Sequence, residues 1–350
     1  LKKQNIDQSF LEKLKPMELQ PLPENPLVSV LIANYNYGQY IGEAIESVLN
    51  QTYQNFEIII CDDGSTDDSR SIIEKLSSQE PRIHAKFQSN QGVAAALNTA
   101  FQVSKGQILS LLDADDIFLP EKLEITRQSF LASEKVGLSA HKVIPVDSQR
   151  NIINTPIPKK VEHGYNALNI IAKGGDAALP PASGLSFRVE VAQKIFPLPV
   201  QIKRGVDSYL RFCASILSEV FGIQKVLAYY RIHNKNITAT KTFTRERLES
   251  LIQDYQTLYH YYVSFLNHDI KTLRFALEDS EGYRSMIMAL ALFDGQRLSS
   301  FSPWIKKFSS LKLKLIWTFL TILPNKMALS LLIFWWSDSR TKRVIKKLMI

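Results

Sequence analysis

The chain has 350 residues, 45% of them hydrophobic and 22% charged, enough for one large globular domain or two modest ones and incompatible with a wholly disordered chain. Lys and Arg exceed Asp and Glu by eight, a balance that points to an anionic partner such as nucleic acid, a phosphate-bearing substrate or a membrane face. The charge is polarised: the net is −7 over residues 1–120, +7 over 121–240 and +8 over 241–350. The two cysteines, Cys61 and Cys213, are too few for a disulfide framework or a four-thiolate zinc site, so a reducing, cytoplasmic setting is expected.

Residues 1–26 are polar and end in Pro21, Pro23 and Pro26, which reads as an extended lead-in. They contain no continuous apolar stretch of the signal-peptide kind, so export by that route is not expected. Val28 to Ala33 is a β-branched apolar run, followed by helical spacing over Gly42–Gln51. Phe56–Cys61 is a second strand, then a turn-rich DDGSTDD and a helix over Ser69–Ser77. A third strand at Ile83–Gln88, a helix at Val93–Val103 and a fourth strand at Gln107–Leu112 follow. This alternation predicts a mostly parallel sheet with its ligands at the carboxyl ends of the strands.

Beyond Pro120 the pattern loosens into a helix over 121–132, short strands within 136–146 and Pro- and Gly-rich loops from 154 to 184. From Arg245 to Phe293 apolar residues recur at helical spacing, and Tyr255, Tyr259, Tyr261 and Tyr262 read as helix packing.

Two acidic clusters follow directly on apolar strands: Asp62-Asp63-Gly64-Ser65 and Asp113-Ala114-Asp115-Asp116. The first suits either a ligand-facing turn or an Asx turn that caps the Ser69 helix. The second supplies three carboxylates where a cap needs one oxygen, which favours a divalent cation.

With these motifs in view, VSVLIANYNYGQYIGEAIESVLNQTYQNFEIIICDDGSTDDS, then NQGVAAALNTAF and ILSLLDADDIFLP, resemble the nucleotide-binding half of family 2 inverting glycosyltransferases. The resemblance covers about residues 26–240 and is strongest up to Pro120. It implies a GT-A fold: Rossmann-like α/β, a mostly parallel central sheet flanked by helices, here with a C-terminal helical extension. The expected division is a lead-in (1–26), a GT-A domain (27–240) with nucleotide-binding (27–120) and acceptor (121–240) halves, a helical region (241–300) and a basic amphipathic tail (301–350).

The resemblance also implies roles. The backbone of Ala33 to Tyr35, with Asp63, would hold the base and ribose, Asp62 would support the same turn, and Ala114 would border the donor. Asp113 and Asp115 form a DxD element, Asp115 being the chief ligand of a Mn2+ or Mg2+ ion on the diphosphate. Asp207, in KRGVDSYL, takes the place of the catalytic base, without the Glu that precedes it in many relatives. Pro180 to Arg188 resembles the acceptor-side strand that lines the sugar pocket, and its small residues suit a tight structural crossing equally. In Tyr229 to Thr238, Arg231 would contact phosphate, and His233 would either complete the metal shell or serve as a structural histidine.

The tail carries two apolar stretches, 315–323 and 327–336, split by Pro324-Asn325-Lys326 and flanked by Lys306, Lys307, Lys312 and Lys314 on one side and Arg340, Lys342, Arg343, Lys346 and Lys347 on the other. Neither reaches the roughly 20 residues of a membrane span. An interfacial anchor on an anionic leaflet, a helical hairpin packed on the catalytic domain or a homo-oligomer contact, and a kinked single span are the alternatives, in that order. The expected enzyme moves a sugar from a nucleotide sugar, a UDP-sugar first, to a glycan or lipid-linked hydroxyl during surface-polysaccharide synthesis, on the inner face of the cell membrane. A non-catalytic nucleotide-sugar-binding or scaffolding subunit is the rival. The acidic leading third argues against nucleic acid.

Overall fold

Val28 to Asn34 alternates its side chains between two cores. Val28, Val30 and Ile32 pack on one side and Leu31 on the other, which is why the run is mainly apolar rather than alternating. It forms β1, the centre of the first half of the sheet. The computed structural model describes residues 14–233, 244–266, 278 and 280–336. Helix α1 (Gly38–Leu49), β2 (Phe56–Asp62), α2 (Ser69–Gln79), β3 (Ile83–Phe87), α3 (Val93–Val103) and β4 (Ile108–Leu111) follow. The order β3-β2-β1-β4 is parallel throughout. Ile41, Ala44, Ile45 and Val48 of α1 cover one face, whereas Ala94, Ala96, Leu97 and Ala100 of α3 cover the other.

The second half mixes parallel and antiparallel pairs. Helix α4 (Lys122–Leu131) follows a two-residue β5 (Ile117–Phe118), and then β6 (Val136–Val146), α5 (Ala167–Ala172), β7 (Leu185–Arg188), α6 (Val189–Ile195), α7 (Val206–Leu217) and β8 (Glu219–Arg231). The sheet runs β3-β2-β1-β4-β7-β6-β8-β5. β7 is antiparallel to both β4 and β6, β6 and β8 are parallel, and β5 is antiparallel to β8. The result is an eight-stranded mixed sheet flanked by helices.

From residue 14 the lead-in forms no helix or strand, and it is not separate from the core. Leu19 is 6% exposed and packs with the α3-side cluster, and the Met17 amide donates to the Leu217 carbonyl.

Helix α8 (Arg245–Leu266) joins two cores. Leu258 and Tyr262 belong to the sheet domain, with the Tyr262 ring stacked on Phe212 at 4.0 Å between centroids. Leu248 and Ile252 belong to a third cluster with α9 (Glu281–Phe293), α10 (Ser302–Lys306), α11 (Leu311–Thr321) and α12 (Asn325–Trp336). Asn234 to Thr238 and the basic residues Arg340 to Lys347 lie outside the described residues. Among the described residues no helix is long and apolar enough to cross a membrane.

Candidate functional site

Where β1, β2 and β4 end together, a cleft of about 580 Å³ opens, a size suited to a ligand of nucleotide-sugar class. Ala33, Tyr35, Asp63, Asp113, Ala114, Asp115 and Asp207 all line it. Of the residues singled out from sequence, Asp62, Arg231 and His233 are not on its lining.

The two loops over β1 and β2 are interlocked. Asp62 is 2% exposed and accepts from Asn34 Nδ2 at 2.7 Å, Ser65 Oγ at 2.6 Å and the Ser65 amide at 3.0 Å. It is an Asx-turn brace. Asn36 adopts φ 58°, a left-handed conformation that asparagine tolerates, and its Oδ1 accepts from the Thr66 amide. Neither Asp62 nor Asp63 caps α2: the Ser69 amide is held by Asp67 Oδ1, whose Oδ2 accepts from the Gly38 amide.

Asp63 reaches forward instead. Its Oδ1 accepts from Gln88 Nε2 and the Gln91 amide, and its Oδ2 from the Gly92 amide at 2.7 Å. Three of roughly four lone-pair sites are used, which leaves acceptor capacity on a fixed carboxylate in the cleft. Gly64 is what lets the turn close: its φ is +77°, and a Cβ there would sit 2.8 Å from the Asn90 amide nitrogen.

The acidic loop after β4 divides its labour. Asp116 accepts from the Arg231 amide at 2.8 Å and from Ser183 Oγ at 2.5 Å, while Ser183 Oγ accepts from the Asp113 amide. Asp116 is therefore the brace, which leaves Asp113 and Asp115 for the cleft. Crowding makes these carboxylates costly to ionise together. The Asp113 carboxyl is pushed up to about 8, by burial first and then by Asp115 and Asp207. Asp116 is likewise raised by burial and by its two neighbours, and the Tyr37 hydroxyl is raised by burial and the same three aspartates.

His233 stands behind the lining, not on it, with Nε2 2.9 Å from Asp115 Oδ2 and its ring stacked on Tyr40. Among the described residues no three His, Cys, Asp or Glu side chains converge into a complete cage. The donors present still fit a catalytic divalent cation: one imidazole nitrogen, one or two carboxylates, and mutual repulsion that a cation would relieve. Such ions take only one or two carboxylates from protein and the remainder from water and phosphate.

Arg231, expected at the phosphate, lies behind the acidic loop and not on the cleft lining. It is 2% exposed, its guanidinium donates to the Asp115 and Ser148 carbonyls and pairs with Glu43, and it lies over the Tyr40 ring. Through these contacts it pins the acidic loop from behind. Arg231→Met is expected to cost about 3 kcal/mol in urea unfolding, because it strands carbonyls and a carboxylate. A phosphate-contact role would instead leave stability intact and weaken donor binding.

Asp207 lies in the first turn of α7, where the helix dipole favours a carboxylate. It is not the cap: that position is Gly205, with φ 80° and no room for a Cβ beside Leu258 of α8. Arg211 Nη2 lies 3.3 Å from Asp207 Oδ2, and the same guanidinium donates to the Asp207 and Leu179 carbonyls. Lys203 and Arg204 also line the cleft, and sequence reasoning passed over them. The signal was their place immediately before the Gly205 turn. Arg204 is tied to Asp254 at 2.7 Å, so α8 anchors this rim.

Comparison with known proteins agrees with this architecture. The sequence model described as Glycosyl transferase family 2 matches residues 29–196. An uncharacterised glycosyltransferase of Nostoc sp. is 40% identical over 212 residues, 60% of this chain and 66% of that protein. The Escherichia coli UDP-Glc:alpha-D-GlcNAc-diphosphoundecaprenol beta-1,3-glucosyltransferase WfaP is 42% identical over 113 residues, 32% of this chain and 44% of that one. This chain thus aligns with less than two thirds of the length of each. The S. aureus TarS 1–349 structure superposes with TM-score 0.56 at 17% identity, covering 86% of this chain and 87% of that one, and its UDP complex with TM-score 0.53. The β1–β4 frame, the acidic loops at its strand ends and these matches together mark residues 29–196 as a glycosyl transferase family 2 domain.

Proposed function

We propose that this chain is an inverting, metal-assisted glycosyltransferase that takes a UDP-sugar and glycosylates a hydroxyl of a glycan or lipid-linked acceptor in surface-polysaccharide synthesis. The observation that carries the reading is that one cleft gathers Asp63, Asp113, Asp115 and Asp207 from three separate segments. The similarity to WfaP, whose name gives a UDP-glucose donor and a diphosphoundecaprenol-linked acceptor, and the UDP complex of TarS favour this donor class.

In this reading Asp63 uses its spare acceptor site for an N–H of the base or an O–H of the ribose, beside the backbone of Ala33 to Tyr35. Asp115, His233 and Asp113 are the residues to hold Mn2+ or Mg2+. When bound, such a cation offsets the charge gathering on the departing diphosphate. Asp207 accepts the proton of the acceptor hydroxyl as its oxygen bonds to the anomeric carbon. The nucleoside diphosphate leaves with the electron pair of the broken bond, and a single displacement inverts the centre.

The test is a panel of nucleotide sugars, with and without Mn2+, scored for nucleotide release in the presence of candidate acceptors. Release from a UDP-sugar that depends on the metal and on an acceptor is the expected result. Tight UDP binding with no turnover on any donor would turn the reading toward a binding subunit.

A further inference from the structure

Helix α11 is apolar on two opposite faces. Trp317 and Leu320, each 1% exposed, point into the third core, and Trp317 Nε1 donates to Ser285 Oγ. Leu311, Leu315, Phe319 and, just past the helix, Ile322 recur at helical spacing on the outer side, where they are 45–75% exposed. Met327, at the start of α12, is also exposed. A surface helix normally turns a polar face to water, and a continuous outward apolar stripe marks a partner.

The charges beside the stripe say which partner. Residues 301–336 contain Lys306, Lys307, Lys312, Lys314 and Lys326 and no Asp or Glu. By helical position Lys312 and Lys314 fall on either side of the Leu311–Leu315–Ile322 line. A second copy of the chain paired two-fold across this stripe would set lysine rim against lysine rim, at an electrostatic cost. An anionic lipid surface meets both features, apolar side chains entering the acyl boundary and ammonium groups at the headgroups. The length and Pro324 break of this region suit a segment lying on a bilayer better than one crossing it.

We infer that the outer face of α11 docks this protein on an anionic bilayer, with Leu311, Leu315, Phe319 and Ile322 inserting and Lys312 and Lys314 flanking them. The docking surface is separate from the cleft and does not depend on the reaction proposed for it.

The experiment is co-sedimentation of the full chain with vesicles of phosphatidylcholine alone or mixed with phosphatidylglycerol. Binding to the mixed vesicles, weaker in high salt and weaker still without phosphatidylglycerol, is the expected result. Leu315→Glu with Phe319→Glu should abolish it at unchanged melting temperature, and Lys312→Gln with Lys314→Gln should weaken it about fivefold per lysine. Three results would overturn the inference: no binding by the parent chain, binding that survives the double glutamate change, or a dimer in analytical ultracentrifugation that this change dissociates while vesicle binding is absent. A melting temperature lowered by the double glutamate change, with no vesicle binding by the parent, would likewise show that protein covers the stripe.

Discussion

Asp207→Asn is expected to bind the donor as the parent does and to lose sugar transfer by about a hundredfold to ten-thousandfold, the range that positioned general bases contribute. The substitution keeps the shape of the side chain and its hydrogen-bonding reach toward Arg211, which lies 3.3 Å from Oδ2 and is held independently by the Leu179 carbonyl and Ser208 Oγ. What it removes is the capacity to take up a proton. The cleft wall should survive, because Gly205, Leu258 and the Arg204–Asp254 pair set the course of the loop. The measurements are donor affinity by calorimetry and turnover by nucleotide release. Loss of both together would mean that Asp207 binds donor or supports the fold, and full turnover would remove it from the chemistry. A partial rescue by Asp207→Glu would support the proton-acceptor role, since a carboxylate one methylene longer still titrates but is displaced.

The first half of the fold is legible because its signals are local. In Val28 to Leu111 the strands β1, β2 and β4 are short, mainly apolar runs buried on both faces, each helix carries one apolar stripe, and the turns between them are rich in Asp, Asn and Gly. The second half is not, and β8 shows why. Glu219 to Arg231 is a 13-residue strand that mixes polar, glycine and apolar residues, and its pairing with β6 shifts register near His141 and Lys142, so no period of two survives. The direction of β7 is equally silent, because antiparallel entry beside β4 is decided by a chain that returns from some 75 residues away.

At the site the same division holds. Asp62, Asp63, Asp113 and Asp115 stand directly after strands, so sheet geometry alone brings them to one edge. Asp207 joins them across a long excursion and was found through family resemblance. The role of Arg231 was beyond sequence reasoning: its partners Glu43 and Ser148 lie 188 and 83 residues away, and no local pattern announces that a guanidinium is spent on backbone carbonyls. Asp116 was hidden by its company, since three similar carboxylates in a row do not reveal which one braces the loop. Lys203 and Arg204 carried a signal, two cations before a glycine turn, that was read only as a neighbour of the base.

Removing the other key carboxylate should have an opposite signature. Asp115→Ala is expected to abolish Mn2+-dependent donor binding, a loss of about a hundredfold or more where a cation contributes several kcal/mol. The loop should keep its course, because the Asp115 contribution to it is a carbonyl held by Arg231 Nε at 2.8 Å, and Asp116 and Asp113 are fixed through Ser183 and the Arg231 amide. In the absence of metal the variant should be no less stable than the parent, since deleting one of three crowded carboxylates relieves the repulsion that raises Asp113 and Asp116 and offsets the lost contact with His233. The parent should gain thermal stability on adding Mn2+ and the variant should not. Thermal melting and UDP-sugar calorimetry, each with Mn2+ and with a chelator, separate the possibilities. If Asp115→Ala retains metal-dependent binding, the ion is held elsewhere and the Asp115–His233 pair is structural; if it merely unfolds, Asp115 braces the loop as Asp116 does. Loss of the metal effect at preserved stability is the pattern that only a ligand produces, and His233→Gln should then weaken the metal dependence without removing it.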